Sequence, residues 1–174
     1  MRKEEIIAKL KAGHAEFIST VVSLNESQFA FSQNEKWNAG QTLDHLCRAV
    51  GTLSNAMKLP LFMFSVLFGK SNRPSRSYDE LVAKYRQKLE GGGRAGGRYL
   101  PSEVTFANRE KRVRALERSV KALCDCVSRY SDEQLDAYIL PHPLLGKITI
   151  REMMYFTIYH AEHHRRIVLH DASP

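Results

Sequence analysis

Four stretches of this chain repeat apolar residues every three or four positions, and no stretch alternates them convincingly every two. Ile6, Ile7, Leu10, Phe17, Ile18 and Val21 form the first set. Leu43, Leu46, Val50, Leu53 and Met57 form the second, and Val113, Leu116, Val120, Leu123 and Val127 the third. Ile150, Met153, Met154, Thr157, Ala161 and Val168 form the fourth. A period near 3.6 puts each set on one face of a helix that must be buried against another element. The pattern predicts long helices over about 3–24, 39–57 and 105–130, and a last one starting near Thr149. An all-α four-helix bundle is the fold that buries four such faces at once. Two connections exceed the roughly two to eight residues usual in an up-and-down bundle, so at least one crossover is expected. With 174 residues the chain suits a single domain, residues 1–174, whose core needs no disulfide or structural metal.

The connections carry their own signals. The run Leu59–Phe68 is apolar but only about ten residues long and contains Pro60, whereas a bilayer span needs about twenty residues. Burial in the domain or in a subunit interface is expected, and if the run stays exposed it is a binding patch. A shorter polar helix is expected over Tyr78–Glu90. Gly91–Gly97 holds five glycines in seven residues without Walker spacing, and reads as a flexible central connector. Pro143 and Gly146 punctuate a loop ahead of the last helix. Asn38 is placed to cap the second helix, and Trp37 before it suits a hydrophobic staple.

The net charge is +7, from 26 Lys and Arg against 19 Asp and Glu, which favours anionic partners. Arg73, Arg76, Arg94, Arg98, Arg109, Lys111, Arg112, Arg114 and Arg118 crowd the middle of the chain. They lack the interleaved aromatics or reading helix that nucleic-acid recognition uses, so a solvated helix face accounts for them and no nucleic-acid partner is expected. Cys47, Cys124 and Cys126 are odd in number and form no C-x-x-C pair, which predicts reduced, packed thiols. Residues 1–20 are charged and amphipathic, unlike a signal peptide. A cytoplasmic protein with no membrane partner is expected.

His160 and His164 stand four residues apart, on the face that also carries Met153, Met154, Thr157 and Ala161. That spacing aims two imidazoles at the core, close enough to hold one metal ion. His45, at the edge of the second helix's apolar stripe, supplies a third, and three protein ligands with a vacant position is the donor set of a catalytic metal. His163 falls about 120° from the stripe's centre and belongs at the boundary or in solvent. His14 points inward as either a packed core residue or a neighbour of the metal. His142, between two prolines, either lies on the surface or lines a pocket mouth.

The segment from Trp37 through Asn38, Ala39, Gly40, Gln41, Thr42, Leu43 and Asp44 to His45 resembles the tryptophan-to-histidine opening of helix two in the DinB/YfiT-like superfamily. His142-Pro143-Leu144-Leu145-Gly146-Lys147-Ile148-Thr149, through to His160 and His164, resembles that family's final loop and metal-binding helix. The resemblance covers essentially the whole chain, apart from the central insert around Gly91–Gly97. It implies up-down-down-up connectivity, a homodimer, and a divalent metal held by His45, His160 and His164. Zinc is the first expectation, with nickel, iron or manganese as alternatives. Members of the superfamily include low-molecular-weight-thiol S-transferases and isomerases, alongside many proteins without an assigned activity. The expected function is therefore that of a metal-dependent enzyme acting on a small molecule, as a thiol S-transferase or a hydrolase. The alternative is a non-catalytic stress-related or binding protein with a structural or vestigial metal site. Asp44 and Glu162 neighbour the ligands in sequence, but helical direction turns both away, so no general base is assigned.

Overall fold

A computed structural model of the chain describes residues 1–32 and 36–171. The helices are α1 (Lys3–Ser23), α2 (Glu26–Ala30), α3 (Ala39–Ala56), α4 (Leu61–Leu67), α5 (Tyr78–Glu90), α6 (Arg109–Val127), α7 (Asp132–Ala137) and α8 (Ile150–Asp171). A hairpin of β1 (Ile139–His142) and β2 (Gly146–Thr149) precedes α8, and single 3-10 turns lie at Gly97–Tyr99 and Phe106–Asn108. Four of these helices start where the sequence offers a reciprocal cap. Asn25 with Gln28, Asn38 with Gln41, Ser77 with Glu80 and Ser131 with Gln134 each close a capping box. Each such N-cap stabilises its helix by about 1 kcal/mol.

The long helices α1, α3, α6 and α8 form the bundle, and named contacts fix their directions. Lys3 donates to the Ser128 and Tyr130 carbonyls past the end of α6, while Arg109 at its start donates to those of Val22 and Leu24, so α1 and α6 are antiparallel. Asp44 pairs with Arg112 and the Tyr130 hydroxyl donates to the Met57 carbonyl, so α3 and α6 are parallel. The Met1 amine meets the Tyr155 hydroxyl and Glu16 meets Arg165, so α1 and α8 are parallel. The sense is up-down-down-up. The parallel α3–α6 pair requires the long crossover that holds α4 and α5. One hydrophobic core runs through all four, with Ile6, Leu10, Phe17, Leu43, Leu46, Leu116, Leu123 and Met154 fully buried.

The start of α3 depends on a close approach. A Cβ on Gly40 would lie 2.7 Å from the Val104 carbonyl and 2.9 Å from the Phe29 ring. Only glycine lets α2 and the 100–108 segment pack against that first turn, four positions before Asp44 and five before His45.

Three features depart from the sequence reading. The all-α expectation omits the hairpin, which pairs Ile139 with Thr149 and His142 with Gly146. Its strands are four residues long and one contains Pro141, so the alternation is too brief to register and the proline is tolerated only because the ladder has two strands. Residues 106–108 form a 3-10 turn, which delays α6 to Arg109. The apolar run 59–68 folds as α4, which buries Phe64 but leaves Phe62, Val66 and Leu67 exposed.

Candidate metal centre

His45 reaches the core from the second turn of α3, His160 from the middle of α8 and His164 from one turn beyond it. Because α3 runs antiparallel to α8, the start of one meets the end of the other, and the three imidazoles converge there. His45 Nε2 lies 3.1 Å from His160 Nε2, and His164 Nε2 lies 3.0 Å from the same atom. All three rings are buried. Burial first, and then the neighbouring imidazoles, holds the His160 and His164 pKa values well below the usual histidine range; burial also lowers that of His45. The rings are therefore neutral at physiological pH, with lone pairs free to bind.

The tautomer of His45 is set from outside the bundle. Its Nδ1–H donates to the Tyr99 carbonyl at 2.7 Å, which leaves Nε2 bare and facing His160. With His45 Nε2 unprotonated, one proton on His160 or His164 satisfies one short contact well and leaves lone pairs opposed in the other. A cation between the rings satisfies all three nitrogens together. The ligating atoms lie within 4.8 Å of one another, so the donor set fits a divalent metal ion.

Aromatic rings wall the site. Trp37 packs on His45 at 4.9 Å and lies parallel to His164 at 6.4 Å, while Phe156, one turn before His160, stacks on it at 4.7 Å. Trp37 is thus a wall of the site rather than a staple, because the fourth helical position that a staple would need is the polar Thr42. Tyr85 of α5 stands edge-on to His160 at 6.5 Å, and burial pushes its phenol to about 12, so it stays protonated.

The other histidines do not join the three ligating nitrogens. His14 is buried and donates from Nδ1 to the Leu10 carbonyl at 2.7 Å, while its Nε2 has no partner among the described residues. His142 accepts the Leu144 and Leu145 amides on Nδ1 and packs at 4.2 Å on Phe156, behind the wall of the site. Burial lowers it to about 4. His163 is half-buried and stacks on Tyr159, and His170 pairs with Asp171 near the end of α8.

Neither neighbouring carboxylate enters the site. Asp44 is fully buried, where it accepts Arg48 Nε and the Ser102 amide, both at 2.7 Å, and pairs with Arg112. It ties the crossover and α6 to α3. Glu162 is held by Arg165 and Arg166. Sequence reasoning missed Tyr99, because a backbone carbonyl has no side-chain signature. Phe156 was legible in principle, being four residues before His160 on the same helical face.

The sequence profile of the DinB superfamily matches residues 5–168. The chain belongs to that superfamily. Its structure is similar to that of YfiT from Bacillus subtilis, described as a probable metal-dependent hydrolase with an unusual four-helix bundle topology. The TM-score is 0.64 at 18% identity, over 97% of this chain and 84% of that one. A conserved protein from Enterococcus faecalis is similar at a TM-score of 0.64 and 13% identity, over 99% of this chain and 96% of that one. These likenesses establish the shared four-helix fold. No curated protein sequence is significantly similar to this member of the superfamily.

Proposed function

We propose that this DinB-superfamily protein is a metal-dependent enzyme that activates a low-molecular-weight thiol for transfer to a small electrophile, with His45, His160 and His164 as ligands. The observation that carries this reading is the convergence of three neutral imidazole nitrogens on one point, with no carboxylate among them. A divalent ion held there keeps its full positive charge and supplies Lewis acidity to whatever takes its open position; zinc suits both imidazole and sulfur.

The surroundings favour a thiol over water as the group activated. Neither carboxylate beside the ligands in sequence stands ready to take a proton, because Asp44 and Glu162 are engaged by arginines. A thiol gives up its proton far more readily than water does. The thiol has to come from outside, since Cys47, Cys124 and Cys126 are all buried, and burial pushes the Cys47 thiol up to about 12. In the transfer the S–H proton leaves to solvent, a C–S bond forms, and the bond from carbon to its leaving group breaks. Beside His164, His163 opens onto a cleft of about 270 Å³ bounded by Lys36, Arg166, Ile167, His170 and Asp171. Lys36 and Arg166 there pair with Asp171 and Glu162, and the carboxylate of a small thiol would compete for them.

Hydrolysis is the second reading, favoured by the likeness to a protein described as a probable metal-dependent hydrolase. Conjugation of a chloronitrobenzene-type electrophile with several cellular thiols, alongside ester hydrolysis, separates the two. The transferase reading predicts acceleration with at least one thiol and a return to the uncatalysed rate in His45→Ala. Equal rates in both proteins would remove the metal site from the reaction and leave a non-catalytic binding role.

A further inference from the structure

We propose that the outer face of α4 docks the protein on an anionic lipid bilayer. Among the described residues, eight large hydrophobic side chains are exposed, and four of them, Leu59, Phe62, Val66 and Leu67, fall within nine consecutive positions. Phe62 is 64% exposed, Val66 75% and Leu67 52%. Phe62 and Val66 are one helical turn apart on α4, so they share one outward face, and Leu59 precedes the helix just before its cap at Pro60. A concentration of this kind on a folded domain marks an interaction surface.

The face is held outward rather than left loose. Phe64, on the opposite side of α4, is fully buried and packs edge-on against Phe68 at 6.2 Å and Tyr138 at 6.4 Å. Lys147 of the hairpin donates from Nζ to the Phe68 carbonyl at 3.0 Å, which fastens the end of the helix. Turning the exposed face inward would expel Phe64 from the core.

Charge selects the partner. From His45 to Tyr78 the chain contains no acidic residue. Lys58 and Lys70 flank α4 in sequence and Lys147 joins its end in space; all three are exposed. Their recorded contacts are to the Asn55 amide oxygen, the Tyr138 ring and the Phe68 carbonyl, so no carboxylate neutralises them among the described residues. Asp136 and Glu152, which take hydrogen bonds from the loop after α4, are held by Arg151 and by Arg73 and Arg76. A second copy packed face to face on α4 would bring like-charged lysines together around the rim. An anionic bilayer offers an apolar interior to Phe62 and Val66 and negative headgroups to the lysines. Among the described residues no single helix is long and apolar enough to cross a membrane. The helix α3, which makes a bent apolar pair with α4, is buried in the bundle core, so the proposed contact is α4 lying on the surface.

Docking here leaves the histidines free. Met57, at the end of α3, lies about 18 Å along the helix axis from His45. The proposal therefore stands independently of the metal chemistry.

Flotation of the native protein with phosphatidylcholine vesicles, with and without phosphatidylglycerol, tests it. Binding is expected only to the anionic vesicles and weaker at physiological than at low salt. Phe62→Ser with Val66→Ser, both at exposed positions, should reduce binding about tenfold without altering the circular dichroism. Lys58→Glu with Lys70→Glu, which keeps the apolar face, should abolish the preference for anionic lipid. Absence of binding at low salt would overturn the proposal. So would a dimer in sedimentation that the Phe62 and Val66 changes dissociate while vesicle binding stays absent, which would assign the face to a second copy.

Discussion

His45 Nδ1 donates its proton to the Tyr99 carbonyl at 2.7 Å across 54 residues of chain, and that bond makes the glycine-rich connector part of the histidine site. Tyr99 ends a 3-10 turn that begins at Gly97, whose φ is +57. The insert that looks like a spacer in sequence thus orients one of the three imidazoles and fixes which nitrogen is bare.

Gly97→Ala tests this link. A Cβ at Gly97 meets nothing within 4 Å, so the cost is purely conformational, about 1 kcal/mol for a left-handed alanine. Relief of that strain moves Tyr99 away from His45, and zinc affinity measured by chelator competition should fall about tenfold. Gly96→Ala is the control. Gly96 has an extended φ of −147 and equally open space, so its substitution should leave affinity unchanged. Equal affinities in both variants would show that the connector does not position His45.

Trp37 is the chain's one tryptophan and lies 4.9 Å from His45 and 6.4 Å from His164, ring centre to ring centre. Its fluorescence should therefore change as divalent metal is added to metal-free protein and level off at one equivalent per chain. The same titration of His160→Ala should be flat. A change that persists in the variant would place metal elsewhere.

Among the described residues Glu152 is the most heavily bonded buried carboxylate, fully covered at the opposite end of α8. It accepts two bonds from the Arg73 guanidinium, at 2.7 and 2.8 Å, and amides from Arg76 and Thr149. Burial alone would raise its pKa, but Arg73 and the two amides outweigh that and bring it to about 2, from 4.5 when unfolded. A depressed carboxylate contributes stability above its unfolded pKa and loses it as pH falls through the folded value. After solvent screening of Arg73 and Arg76, that contribution is about 2 kcal/mol at neutral pH. In urea titrations Glu152→Gln should be less stable than the native chain by about that amount at pH 7, with the gap roughly halved by pH 3 and closing as the pH falls through about 2. A gap of equal size at both values would contradict the assignment.

Much of this was legible because it follows from period and spacing. The apolar repeats locate α1, α3, α6 and α8 to within a few residues, and four-residue spacing puts His160 and His164 on one face of α8. Helical direction also places His163 at the boundary and turns Asp44 and Glu162 from the site. Long-range relations without a side-chain signature were not legible. The Tyr99 carbonyl is one, and the hold of Asp44 on Ser102 and Arg112 is another, since helical periodicity says which way a carboxylate points and nothing about what arrives there. The outward face of α4 escaped for a related reason. An apolar run reads as core unless the packing that buries only Phe64 is known.

Metal stoichiometry tests the central claim most directly. Native protein, stripped with chelator and dialysed against a divalent metal, should retain one ion per chain by elemental analysis. His45→Ala, His160→Ala and His164→Ala should each retain far less while keeping helical circular dichroism. Retention of one ion by all three variants, or of none by the native chain, would contradict the account.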